Sequence, residues 1–126
     1  MILTSIHVAF GGALGAVLRY LCSWAVLRGF GAHTVPLGVM TANVLGSFAM
    51  GVVVVALAQR GLLAWQPFLM TGLLGGFTTF SAFSLETATL IERGAFGQAA
   101  LYVLLSVGLS VGGLFLGLWL ARGVFA

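Results

Sequence analysis

Apolar residues run along this chain in four long blocks, roughly Leu3 to Leu27, Leu37 to Leu57, Trp65 to Leu90 and Gln98 to Ala121, with few charges inside any of them. A bilayer core takes about 20 apolar residues to cross as a helix. The pattern therefore predicts four transmembrane helices joined by short loops, an all-α membrane protein forming a single four-helix domain over residues 1–126. Loop punctuation falls where it is needed: RGFGAHTVP with Pro36 before the second span, AQRGLLAWQP with Pro67 opening the third, and ERGAFGQ before the fourth. Four crossings place both termini on one side.

Composition removes other classes. With 61% hydrophobic and 6% charged residues there is too little polar surface for a water-soluble globule. The five basic residues are single, widely spaced arginines, which is not the footprint of a nucleic-acid surface. They bear on topology instead. Arg60 and Arg122 fall on the side of the termini and Arg28 and Arg93 on the opposite side, so the charge rule for insertion gives no preferred orientation. A chain that inserts both ways up can pair with an inverted copy in a closed two-fold assembly, although a tie among four charges also arises readily by chance. Cys22 is alone and cannot form an internal disulfide. His7 and His33 have no neighbouring carboxylate or thiol in sequence to build a metal site. The first arginine is Arg19, so the opening block reads as a retained helix and not a cleaved signal. No nucleophile–base pair can be assembled for an enzyme.

Polar residues inside the spans carry the functional information, because each is costly in hydrocarbon unless it is satisfied. Asn43 in the second span reads either as an interhelical hydrogen bond or as an amide donor facing an ion path. Tyr102, Ser106 and Ser110 recur at four-residue steps and line one face of the fourth helix, a hydroxyl track able to solvate an anion stepwise. The stretch GGFTTFSAF, residues 75–83, is the most unusual. Gly75 and Gly76 are where a helix is weakest, and Thr78, Thr79 and Ser81 can satisfy backbone groups freed by an interruption, so the third span is predicted to be a broken helix. Carbonyls exposed at such a break can hold a cation. Phe80 and Phe83 share a face, and their electropositive ring edges suit an anion, while ordinary core or lipid contact is the plainer reading of two phenylalanines. Arg19 and Glu86 are the only charges well within the spans; they pair with each other, or Arg19 draws anions to a vestibule or snorkels to the interface. Glycines four apart, Gly11 with Gly15, Gly108 with Gly112 and Gly113 with Gly117, allow close helix approach within the chain or between chains.

Three pieces, GGALGAVLRY (11–20), NVLGSF (43–48) and above all GLLGGFTTFSAFSLE (72–86), resemble the CrcB/Fluc fluoride channel family over nearly the whole chain. The resemblance implies an antiparallel, dual-topology homodimer in a microbial inner membrane, with two pathways that let fluoride out passively. It implies that Phe80 and Phe83 offer ring edges to fluoride, Asn43 an amide donor, and Tyr102, Ser106 and Ser110 the hydroxyl track; Thr79 and Ser81 are counted with them as residues of the fluoride pathway. It also implies that backbone carbonyls of Gly75 and Thr78 from both chains hold a structural sodium ion on the two-fold axis. Three positions depart from the family's usual hydroxyl residues: Val39, Ala82 and Leu114. Two other functions compete with this reading. A small dual-topology, proton-coupled exporter would need a titratable carboxylate, for which Glu86 is the sole candidate; a structural subunit would use the glycines and aromatics for packing alone.

Overall fold

The computed structural model describes residues 1–31 and 35–126. Among them four helical crossings are long and apolar enough to span a membrane: α1 (Ile2–Phe30), α2 (Leu37–Gln59), a composite third crossing over Leu63–Glu92, and α5 (Phe96–Phe125). The composite crossing consists of a short 3₁₀ turn at Leu63–Trp65, a π-helical segment Pro67–Leu74, α3 (Gly75–Phe77) and α4 (Phe80–Glu92). The helices run past the predicted apolar blocks because backbone hydrogen bonding continues through interfacial residues such as Arg28 and Phe30 until a turn stops it. Each of the three connections contains a glycine with positive φ, Gly31, Gly61 or Gly94, the conformation that ends a helix at least cost.

Backbone contact between helices is built from glycine. A methyl group on Gly15 would collide with the Leu73 carbonyl, and one on Gly76 would lie 2.6 Å from the Gly12 carbonyl oxygen, so α1 and the third crossing touch main chain to main chain. A side chain on Gly51 or Gly117 would likewise strike the facing backbone of α5 or α2. Without a hydrophobic force between helices in lipid, this close van der Waals fit holds the bundle. Gly11 with Gly15 and Gly113 with Gly117 thus pack inside the chain. A methyl group on Gly108 or Gly112 would meet no other element within 4 Å among the described residues, so that step faces outward.

The two ends of the bundle fix its direction. At one end Met40 of α2 packs with Leu90, Ala99 and Tyr102. At the other the Arg60 guanidinium, just past α2, lies 5.3 Å from the ring centroid of Phe125 at the end of α5. Helices α2 and α5 therefore run the same way, and their glycine contacts set a fixed register between them.

Close approach at Gly15 leaves no room for a methyl group. Gly15→Ala is expected to cost about 1–3 kcal/mol by overpacking against Leu73, read as a lower unfolding midpoint in detergent. Gly123→Ala, which meets nothing within 4 Å, should stay within about 0.5 kcal/mol of the parent.

Candidate functional site

The site forms where the third crossing departs from regular helix. Pro67 opens the π-helical segment, and the Gly75 N–H is shared between the carbonyls of Gly72 and Met70. Gly75 itself is helical (φ −63°, ψ −37°). The extended residues come later, at Thr78 (φ −89°, ψ 155°) and Thr79 (φ −150°, ψ 122°), and helix resumes at Phe80. The interruption expected at the glycine pair therefore lies at the two threonines, whose β-branched side chains suit extended backbone. Gly76 serves the contact with Gly12 instead.

Several of the polar groups at this interruption find partners outside the regular helix. Asn43 of α2 clasps Thr79 in both directions: its Oδ1 accepts the Thr79 N–H at 2.7 Å and its Nδ2 donates to the Thr79 carbonyl at 3.0 Å. The amide of Asn43 acts as a strand partner for one residue. Thr79 Oγ1 caps α4 by accepting from the Ala82 N–H at 3.2 Å and lies 3.2 Å from Ser81 Oγ. The Thr78 N–H and hydroxyl both donate to the Leu74 carbonyl. Arg19 Nε donates to the Gly76 carbonyl at 3.2 Å, and the Tyr102 hydroxyl donates to Glu86 at 3.0 Å. Arg19 and Glu86 thus have separate partners and do not pair with each other. Oxygen atoms at the carboxyl end of a helix attract positive charge, which explains the choice of Arg19.

The interruption takes the regular helical donors from the carbonyls of residues 75–78, Gly75 and Thr78 among them. Gly75 O would receive the Thr79 N–H in a continuous helix, but Asn43 takes it. Thr78 O would receive the Ala82 N–H, but Thr79 Oγ1 takes that.

Beside the extended residues lies an open-sided cavity of about 410 Å³. Asn43, Thr78, Thr79, Phe80, Phe83, Ser106 and Ser110 all line it, together with Ser47 and Leu114. Ser106 Oγ is buried there with no hydrogen-bond partner among the described residues. The rings stack in sequence: Phe80 is 5.5 Å from Phe83, which is 5.3 Å from Tyr102. Phe80 is 77% exposed and Tyr102 is fully buried. Of the three α5 hydroxyls, Ser106 and Ser110 reach the cavity, while Tyr102 spends its proton on Glu86 behind the ring stack. Neither Glu86, Ser81 nor Arg19 lines it. Ser47 was not singled out by the sequence reading, although its spacing of one turn from Asn43 places it on the same face of α2. His33 lies outside the described residues.

Four apolar crossings around a cavity of neutral hydrogen-bonding groups define a multi-pass membrane protein, and in a bacterium such a protein resides in the inner membrane. Residues 6–118 match the sequence model of the family described as CrcB-like protein, Camphor Resistance (CrcB), and the chain belongs to that family. Relatives named fluoride-specific ion channel FluC include one from Ruegeria sp. (strain TM1040), 58% identical over 124 residues and 98% of each chain. Another, from Roseobacter denitrificans, is 64% identical over 121 residues, covering 95% of this chain and 96% of the relative. A third, from Jannaschia sp. (strain CCS1), is 70% identical over 105 residues, which is 80% of this chain and all of that relative.

Asn43→Leu keeps the approximate volume but removes the acceptor of the Thr79 N–H and one of the donors to its carbonyl. The Thr79 N–H is then left unsatisfied in an apolar setting, while its carbonyl, at the N-cap of α4, keeps the helical bond, so stability should fall by about 1–3 kcal/mol. Backbone amide exchange around Thr79 should quicken in the variant while exchange in α1 stays unchanged; equal exchange at Thr79 would show that Asn43 does not hold it.

Proposed function

We propose that this protein is a passive fluoride channel that lets the ion leave the cytoplasm down its gradient, working as an antiparallel homodimer with two pathways. The observation that carries the reading is the cavity itself: an amide, two aromatic rings and hydroxyl residues line it with no ionisable side chain among them, and the buried Ser106 hydroxyl beside it has no hydrogen-bond partner among the described residues. The fluoride-specific channels to which the chain is similar supply the choice of ion.

Fluoride holds its water tightly, so a dry path must replace that water with donors. Neutral donors suit this task, since they are strong enough to admit an anion and weak enough to release it. Ser106 and Ser110 stand in sequence along α5, and the second N–H of the Asn43 amide stays available beside its bond to Thr79. The edges of Phe80 and Phe83 carry partial positive charge and exclude water at the same time. Arg19, held to the Gly76 carbonyl, adds a fixed positive field near the extended residues without entering the cavity.

Two features support the homodimer. The Phe80 ring is 77% exposed on the open side of the cavity, and Gly75, with a carbonyl lacking its usual donor, is exposed on the same stretch. A second, inverted copy would cover both, in keeping with the even distribution of arginines. The carbonyls of Gly75 and Thr78 then fit a sodium ion on the two-fold axis, as hard oxygen donors released from helical bonding. Bound there, sodium would supply the positive charge that offsets carbonyl dipoles brought together from two chains.

The exporter alternative needs a carboxylate in the path, but Glu86 lies off the cavity and accepts the Tyr102 hydroxyl. In liposomes, fluoride efflux measured with a fluoride electrode should require a potassium ionophore to dissipate the charge, pass little chloride, and persist in Glu86→Gln. Flux tied one for one to protons and abolished by Glu86→Gln would establish the exporter. Replacing both rings, Phe80→Ile with Phe83→Ile, should slow efflux by roughly 10- to 100-fold, a barrier increase of about 1–3 kcal/mol.

A further inference from the structure

Helices α2 and α5 run in the same direction and are locked in register by their glycines: Gly113 stands beside Val44 and Phe48, and Gly117 stands beside Gly51 with the Phe48 carbonyl against it. That register places Asn43 about level with Ser110 and Ser47 about level with Leu114. One turn toward the start of both helices, Val39 comes level with Ser106. Each level of the shared wall then holds a polar side chain on at least one helix: Ser106 opposite Val39, Asn43 together with Ser110, and Ser47 opposite Leu114. The hydroxyl track of α5 ends at Leu114, and the next hydroxyl is across the cavity on α2.

Ser47 is half-buried and lines the cavity with Leu114. Serine in a membrane helix commonly bonds the carbonyl four residues back. Ser84, Thr87 and Thr89 do so in α4, donating to Phe80, Phe83 and Leu85. Among the described residues Ser47 makes no such bond, so its proton is free for whatever enters the cavity.

We propose that Ser47 is a binding residue for the permeating anion, continuing the donor path from α5 onto α2 at the level where Leu114 interrupts it. The assignment rests on the fluoride-channel reading. Its chemistry is simple: the Ser47 hydroxyl donates one hydrogen bond to fluoride as the ion leaves the level of Asn43 and Ser110, taking the place of a water molecule, with no covalent change.

The test uses purified full-length protein in liposomes and fluoride as the probe. Ser47→Ala should slow electrogenic fluoride efflux by about tenfold, the size of one net hydrogen bond, with its elution on size exclusion and its unfolding midpoint close to the parent's. Ser47→Thr, which keeps a hydroxyl, should conduct within about threefold of the parent. The decisive variant is Ser47→Ala combined with Leu114→Ser, which returns a hydroxyl to the same level from the opposite helix. Recovery of most of the lost flux would support a donor role, since a merely structural serine would not be replaced from across the cavity. Parental flux in Ser47→Ala, or a slow Ser47→Ala that Leu114→Ser fails to restore, would overturn the assignment while leaving the channel reading intact. A parent protein that passes no fluoride at all would overturn both.

Discussion

A peptide N–H and a carbonyl released from a helix inside hydrocarbon have no water to turn to, and each costs free energy until another group meets it. In this protein they are the Thr79 N–H and the Gly75 carbonyl, and the side chain of Asn43 meets the first of them. The Asn43 amide presents an acceptor and a donor at the spacing of a neighbouring strand, so a single residue of α2 stabilises extended backbone in the middle of an apolar crossing. Nearly everything of interest in the site follows from that clasp. With the Thr79 N–H drawn away, Gly75 keeps a free carbonyl. With Thr79 extended, its hydroxyl is positioned to cap α4 and orient Phe80 and Phe83 as the helix restarts.

The clasp requires that α2 and the third crossing be held at a fixed distance, and glycine packing provides this. Gly46 presents no side chain where Thr78 and Phe77 approach, while Gly15 and Gly76 let the other side of the crossing sit against α1. Arg19 reaches from α1 to the Gly76 carbonyl, so each flank of the irregular stretch has a polar tether to a regular helix. The cavity is what remains when three helices are pinned around backbone that cannot fill the space as a helix would. Its lining is neutral because the only carboxylate among the nearby residues, Glu86, is turned toward Tyr102.

The four crossings were legible in sequence because a bilayer imposes length and apolarity on any segment that spans it, and their ends were missed only by interfacial residues such as Phe30 that prolong the helix beyond the apolar block. The importance of Asn43 was legible too, as a costly group in a greasy span. What it bonds was not, since Thr79 is brought to it by tertiary packing and not by any spacing along the chain. Gly75 and Gly76 drew attention as weak points of a helix, yet both are helical, and at Gly76 it is small size against Gly12 of α1 that the position requires, not freedom of φ. The suggested pairing of Arg19 with Glu86 treated the two charges as if only they could satisfy each other; a carbonyl and a phenol lie closer. Ser47 escaped notice because an isolated serine in a membrane helix usually bonds its own backbone, and only the register between α2 and α5 shows what it faces.

The central claim is that backbone at Thr78 and Thr79 is extended and held so by Asn43 while the protein sits in lipid. Solid-state NMR of the protein in bilayers, with labels at these two threonines, reads their torsion angles directly. The account predicts ψ near 155° and 122°, with helical values at Gly75 and Phe83 on either side. Helical torsion angles running without interruption through residues 74–84 would contradict it.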